Sequence, residues 1–427
     1  MVFRFSLNKL SARIAVLIAS FAACLVLAVI IISRFVVGTL ADDRLKVTRE
    51  MLEVPVEYFP SSGRLNNRLA LAELASGDRD LASAASHARR SVNLSPYDYR
   101  FRLTLASIEE ARGDRSSAEE SLEAARALAP NYWNVRYRLG NLLVREGKLA
   151  ESLNEFNLAI EANNTLLPGI LDLVWRASDG DVTAVDAVSG NGSKAKLTLA
   201  HFLLKMARPA EAAAVFASID LSDRSASSTD SSSFLNALIA AGSVETARDL
   251  WRDLAGGDRQ ANLIWNGGFE SEITSNLTQF EWSFDRSEYA RLAIDTTVAH
   301  TGSRSLRLEF AGRDTTRLDN EVKQLVAVRS GMKYRLECYV RTSGFESPEG
   351  PRLVVADRGS STWIAASEPV AQGSSEWQRL ALDFVAPKTE SGGSSGIFVT
   401  IKRRPKFSFD EPTRGTVWFD DFSMSEQ

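Results

Sequence analysis

Cysteine and histidine are scarce: Cys24 and Cys338, with His87, His201 and His300, are all that 427 residues contain. That inventory excludes a zinc site of Cys and His ligands and argues against a catalytic thiol–imidazole pair. A surplus of one charge sign is also missing. The 50 basic and 54 acidic residues leave a formal charge of -4, so there is no electrostatic footprint for nucleic acid. No Gly-rich phosphate loop, nucleophile elbow or His-Glu-x-x-His phrase occurs. Hydrophobic residues at 44% and charged residues at 24% are ordinary globular usage, which excludes a wholly disordered or collagen-like chain. At about 150 residues per domain, the length predicts two or three structural units. These absences point toward anchoring and binding, away from catalysis.

What is present begins with an apolar run. Ile14 to Ser33 carries no charge and is dense in Ala, Val, Leu and Ile; at a rise of about 1.5 Å per residue it spans roughly 30 Å, the hydrocarbon thickness of a bilayer. Arg4, Lys9 and Arg13 precede it, whereas Asp42, Asp43 and Glu50 follow, mixed with Arg34, Arg44 and Lys46. The more basic flank stays in the cytoplasm, so the body of the protein is expected outside it. The expected layout is a basic segment over 1–13, a transmembrane helix over 14–37 in contact with the lipid bilayer, and a linker over 38–60. A cleaved signal peptide is the alternative, but those have apolar cores of roughly 7–15 residues and a small-x-small site. The run is longer and ends without a clear site. With Cys24 in mid-span and Cys338 alone in the exported part, no intrachain disulfide is expected there, and an oxidising compartment is compatible with the chain.

From residue 61 to 257 the sequence is rich in Ala and Leu at helical spacing. Pro96 and Pro130 stand 34 residues apart, each closing a similar phrase, and Gly113 and Gly147 repeat the same step in helix–helix turns. A period of 34 is that of the tetratricopeptide repeat. The segment Trp133 to Leu166 resembles that family residue by residue, through Leu139-Gly140, Leu143, Gly147, Ser152, Phe156 and Ala159. Ala118, Leu122, Ala125 and Pro130 carry the preceding copy, with Ala106 in place of Gly. Two later copies are degenerate: Leu199-Ala200 with Ala212 and Phe216, then Gly242 with Ala247 and Trp251. The small and aromatic positions read as core. The resemblance implies a concave groove for a partner protein of the envelope, with Arg102, Arg136 and Asn141 on first helices as candidate contacts. Asp179 to Lys194 breaks the period, and the Ser- and Asp-rich stretch from Ser222 to Ser233 reads as a loop.

After Gly256-Gly257 the pattern changes from helical to alternating. Five of the eight tryptophans (Trp265, Trp282, Trp363, Trp377 and Trp418) fall in this last part. Alternating runs at Arg304–Phe310, Tyr334–Arg341, Gln378–Phe384, Ile397–Arg403 and Val417–Met424 predict an antiparallel β-sandwich over 261–427. Asn266-Gly267-Gly268-Phe269-Glu270 opens it, and His300-Thr301-Gly302-Ser303, Gln324-Leu325-Val326, Gly331-Met332-Lys333-Tyr334 and Glu376-Trp377-Gln378 follow. Trp418-Phe419-Asp420-Asp421-Phe422 closes it. In this order the phrases resemble the jelly-roll carbohydrate-binding modules of families 4, 9 and 22, in the galactose-binding-like superfamily. The fold class expected is therefore multidomain: a transmembrane helix, an all-α tetratricopeptide-like solenoid, then an all-β jelly roll.

That resemblance implies a structural calcium ion held by Glu270 and Asp420, with a carbonyl from the Thr301–Ser303 turn; calcium takes six to eight oxygen ligands. Strand alternation places Asp420 inward with Phe422 and Met424, and Asp421 outward. Sugar recognition needs flat aromatic faces with polar neighbours. Tyr339 with Arg335, Glu337 and Arg341 supplies these on one strand face, and Trp363, Arg352 and Arg404 border strands expected to share the sheet. Trp282, Trp377 and Trp418 read as core, and His300 as part of a structural turn.

Two carboxylates on a catalytic scaffold would be needed for a glycosidase, but anchor, repeats and sandwich account for the chain, so no enzyme is expected. The expectation is a single-pass envelope protein of bacterial type, its N-terminus inside and its bulk extracytoplasmic. Its repeats would hold a partner and its sandwich a glycan, in export or assembly of surface polysaccharide. The alternative is a purely protein-binding scaffold whose sandwich has lost sugar recognition.

Overall fold

The computed structural model describes residues 10–427 apart from 43–44, 46, 77–79, 256–261, 274–277, 313–316, 320, 361, 389–393 and 408–410. Arg4, Lys9, Asp43, Arg44, Lys46, Gly256 and Gly257 thus lie outside the described residues. The chain divides into two compact units, Met1–Val188 and Ser189–Gln427.

The first unit is helical. Helix α1 (Leu10–Leu40) contains the stretch Arg13–Leu40, long and apolar enough to cross a membrane or to serve as a signal sequence. The expected linker instead carries a helix, α2 (Arg49–Tyr58), because Leu52 and Val56 sit four residues apart and share one buried face. Val37, Leu40 and Ala41 at the end of α1 pack into the same small core, with Leu65 and Leu69 of α3 (Gly63–Ala75).

Repeats follow as α3 with α4 (Leu81–Leu94), α5 (Tyr99–Ala111) with α6 (Arg115–Leu128), and α7 (Trp133–Arg145) with α8 (Leu149–Ala162). Helices α4, α6 and α8 start 34 residues apart. Asp80 and Asp114 cap α4 and α6 by accepting from the backbone N–H groups of Ser83 and Ser117. Gly113 and Gly147 have φ of +80° and +77°, the left-handed turn that favours glycine. Gly140 is required for a different reason: a Cβ there would stand 2.6 Å from the Phe156 ring. Helices α9 (Leu167–Ala177) and α10 (Val182–Ser189) complete the unit. The break in period at Asp179 is a turn with Asp179 and Gly180 both at positive φ.

The second unit opens with α11 (Ser193–Lys205), α12 (Pro209–Ala217), α13 (Leu221–Ala226), α14 (Ser228–Ala240) and α15 (Val244–Ala255). The stretch from Ser222 to Ser233, expected as a loop, is therefore mostly helical. Burial overrides its weak propensity: Ser231 is buried and donates to the Arg224 carbonyl at 2.8 Å, just ahead of buried Phe234 and Leu235.

Ten strands follow: β1 (Ser283–Phe284), β2 (Ala290–Asp295), β3 (Ser305–Ala311), β4 (Val322–Arg329), β5 (Lys333–Glu346), β6 (Arg352–Asp357), β7 (Trp363–Ala366), β8 (Gly373–Val385), β9 (Ser394–Lys402) and β10 (Arg414–Glu426). They form two antiparallel five-stranded sheets, sheet I in the order β1-β4-β9-β6-β7 and sheet II in the order β2-β3-β10-β5-β8. The core between them includes Phe269, Trp282, Leu336, Cys338, Val399, Phe419 and Phe422. Burial pushes the Cys338 thiol pKa up.

Alternation shows what covers sheet I. Val322, Val326 and Val328 of β4 face the core, so Leu325 and Ala327 face away from it, as do Val354 and Ala356 of β6. All four outward residues are nevertheless buried. Helix α15 packs on β4 and β9, and Arg358, just past β6, donates to the Ile239 carbonyl in α14 at 2.9 Å. Helices α14 and α15 thus roof the outer face of sheet I. The compact unit that holds the strands accordingly begins at Ser189 and includes these helices.

Candidate ligand face of the sandwich

The outer face of sheet II is open, and its chemistry centres on β5 and β10. Tyr339 lies directly opposite Asp420 in their ladder. The register slips between Asp420 and Ser423, where Asp421 adopts φ of +50°. This bulge inserts a residue and reverses the alternation. Val417 and Phe419 face the core before it, Phe422 and Met424 after it. Asp420 therefore shares the outer face with Trp418 and Tyr339, which corrects the expectation that it points inward with Phe422.

Asp420 is still fully buried, because the turn from His300 to Arg304 folds over it. Its carboxylate accepts from the backbone N–H of His300 and of Asp421, both at 2.7 Å. Burial dominates these bonds, with the Asp421 charge adding to it, and raises the Asp420 pKa to about 6. Asp421 accepts from Thr301 Oγ1 at 2.7 Å and pairs with His300 Nδ1 at 2.6 Å. Glu270 takes the other end of the turn, accepting from Ser303 N at 2.8 Å, Ser303 Oγ at 2.8 Å and Arg304 N at 2.9 Å. The Ser303 bonds hold its pKa below the usual value. The charge of Glu270 and Asp420 suits calcium, and Asp421 adds to it. The oxygen shell does not yet match: these carboxylates face N–H and O–H donors. Among the described residues no three His, Cys, Asp or Glu are grouped to hold a metal ion.

The turn also delivers His300 to the face. Its ring stacks on Tyr339, with centroids 3.8 Å apart and planes 13° apart, and meets Trp377 edge-on at 5.6 Å. Trp377 is thus half-buried on the outer face and Trp418 lies there too, donating from Nε1 to Asp295 at 2.9 Å. Both correct the expectation of core tryptophans; Trp282 alone of the three is buried in the core. Burial would raise the Asp295 carboxyl, but bonds from Trp418 and Thr297 outweigh it and hold the pKa at about 2. His300, Trp377 and Trp418 were not among the expected contacts, yet together with Tyr339 they are the aromatic surface of this face.

The charged neighbours are paired across strands. Arg335 bonds Asp383 at 2.7 Å, Glu337 meets Arg379 at 2.7 Å, and Arg341 meets Glu376 at 3.5 Å. Beside Tyr339 opens a cavity of about 660 Å³, lined also by Arg252, Trp265, Asn266, Glu270 and Asp421. It is a polar hollow with aromatic walls.

The other expected contacts lie elsewhere. Arg352 and Trp363 belong to sheet I, and Arg404 lies just past the end of its strand β9, so none of the three is in the sheet of Tyr339. Arg404 covers the Trp363 ring at 5.1 Å and bonds Asp319 at 2.9 Å, while Arg352 donates to the Ser367 carbonyl at 2.8 Å. These three build structure around the edge of sheet I. In the repeats, Arg136 is held by buried Glu155 at 2.8 Å and by the Pro130 carbonyl at 2.7 Å. Asn141 donates to the Tyr137 carbonyl in its own helix at 2.8 Å, and Arg102 is half-buried on α5.

No family model matches the chain, and no curated protein matches it. Among solved structures, a CBM4 is 16% identical, with 38% of this chain and 99% of that one covered, at a TM-score of 0.28. A family 16 carbohydrate-binding module is 17% identical, covering 39% and 100%, at 0.27. MamA is 13% identical, covering 40% and 84%, at 0.28. At these scores the likenesses carry no argument about ligand or partner.

Proposed function

We propose that this chain is a non-catalytic scaffold anchored in a bacterial cytoplasmic membrane through α1. Its N-terminus is inside and its bulk outside, and its helical repeats hold another envelope protein. The face of sheet II around Tyr339 recognises a glycan, in export or assembly of surface polysaccharide. The observation that carries the glycan reading is the convergence of Tyr339, His300, Trp377 and Trp418 on one open face beside a polar cavity. Aromatic planes with polar neighbours are what pyranose rings pack against.

Calcium at Glu270 and Asp420 belongs to the same proposal as a structural element. Binding requires the carboxylates to exchange donors of the His300–Arg304 turn for the ion. The expected sign is a rise in melting temperature with millimolar calcium that Glu270→Gln cancels.

One observation favours the alternative, a scaffold that binds only proteins. Arg335, Glu337 and Arg341, the outward charges flanking Tyr339 on β5, are already paired with β8, and His300 occupies one side of the Tyr339 ring. Affinity electrophoresis decides between the two readings. The full chain, in mild detergent, is run through gels holding neutral or acidic polysaccharides, with calcium and with chelator. Retardation by a polysaccharide supports glycan binding. Unchanged mobility in every gel, from folded protein, favours the protein-only scaffold. Protease protection in membrane vesicles tests the orientation.

A further inference from the structure

Helix α2 divides its surface into three stripes. Leu52 and Val56 form the buried one. Glu50, Glu53 and Glu57 form an acidic one, with Glu53 bonded to Arg49 at 2.7 Å. Met51, Val54 and Tyr58, spaced i, i+3 and i+7, form the third, and they are 51%, 56% and 76% exposed. A solvated helix has no reason to keep three large apolar side chains in line on a bare face. Leu45, just ahead of it, is exposed as well.

The position of this stripe in the first unit indicates what covers it. The apolar run of α1 is unpacked until Val37, and from there Val37, Leu40 and Ala41 enter the core that holds Leu52 and Val56. Arg68 of α3 also donates to the Leu45 carbonyl, tying the connection between α1 and α2 to α3. Helix α2 is therefore fixed within about one helix diameter, roughly 10 Å, of the point where the apolar run ends. The headgroup layer is of similar depth, and helices with a separate apolar stripe lie in it. Tyr58, with an apolar ring and a polar tip, suits that layer.

We propose that α2 lies in the headgroup layer of the membrane that α1 spans, with Met51, Val54 and Tyr58 against lipid and the glutamate stripe toward water. The proposal rests on the reading of α1 as a membrane span. It makes the first helices of the array a membrane-bound platform and not a tethered one. The acidic stripe directs it to a zwitterionic surface, since anionic headgroups would repel Glu50, Glu53 and Glu57.

The test uses the full chain in phosphatidylcholine nanodiscs, in a Cys24→Ser background, with bimane attached at single introduced cysteines. Cys338 stays unlabelled because it is fully buried. Labels replace Val54, Tyr58 and, as controls, Ile30 in α1 and Glu53 on the acidic stripe. Doxyl-bearing lipid should quench labels at 30, 54 and 58 and spare the one at 53. Quenching at 30 alone would overturn the docking of α2 while leaving the span intact. Absence of quenching even at 30 would overturn the span and, with it, this proposal. Self-quenching between labels at 54, without lipid quenching there, would assign the stripe to a second copy of the chain and also overturn it.

Discussion

The two sheets of the sandwich share one core but have opposite outer faces. Sheet I turns Leu325, Ala327, Val354 and Ala356 outward, and helices α14 and α15 roof them. Sheet II turns outward aromatic rings and paired charges, and no helix packs over them among the described elements. The difference teaches that a jelly-roll fold does not say which face is available. In this chain the apolar face serves attachment of the β-domain to its own helices, and the polar face with aromatic rings is the one left uncovered by helices among the described elements.

The comparison can be broken most strongly at sheet I. Leu325→Asp places a charge under the helical roof and should cost about 3 kcal/mol or more, read as a lower midpoint in urea unfolding. A loss no larger than that of a surface substitution would mean the roof is loose. A smaller effect, of about 1–2 kcal/mol, is expected at Trp418. Trp418→Phe removes a donor that lowers the Asp295 pKa. A depressed carboxyl stabilises the fold above its unfolded pKa near 3.8 and loses that contribution as pH falls toward about 2. Melts of both proteins should therefore differ near neutral pH and converge in strong acid.

The helices that precede the roof can also be strengthened. Ala207, in the turn between α11 and α12, has φ of +57° where the equivalent turns use glycine. Ala207→Gly should stabilise by about 0.5–1 kcal/mol; thermal unfolding that starts earlier in the variant would refute this. The smallest effect belongs to the open face. Arg379→Ala breaks an exposed pair with Glu337 and should change stability by no more than about 0.5 kcal/mol, which calorimetry can check. Together these values would set a covered face against an exposed one.

Much of this was legible in the sequence. The apolar run, the 34-residue step and the alternating strands each follow from one local period, and β3, β5, β8, β9 and β10 sit where alternation put them. The site was less legible, for identifiable reasons. A single inserted residue at Asp420–Asp421 reverses which side chains face outward, and no local pattern announces it. Trp377 is out of phase with Leu380, Leu382 and Phe384, which point inward. Trp418 is likewise out of phase with Val417 and Phe419. In both cases the expectation was core, for Trp377 from the family resemblance, and the phase along the strand said otherwise. The roof over sheet I depends on contacts between helices and strands far apart in sequence. Their only local trace was that Leu325, Ala327, Val354 and Ala356 are apolar on both sides of their strands.

The central claim is that ligand binding belongs to sheet II and attachment to sheet I. Its most direct test compares Tyr339→Ala, Trp377→Ala and Trp363→Ala in the full chain, each shown to be folded, by affinity electrophoresis in a polysaccharide gel that retards the parent. The account predicts that the first two variants lose retardation and that Trp363→Ala keeps it. Retardation that survives at Tyr339 and Trp377 but disappears at Trp363 would contradict it.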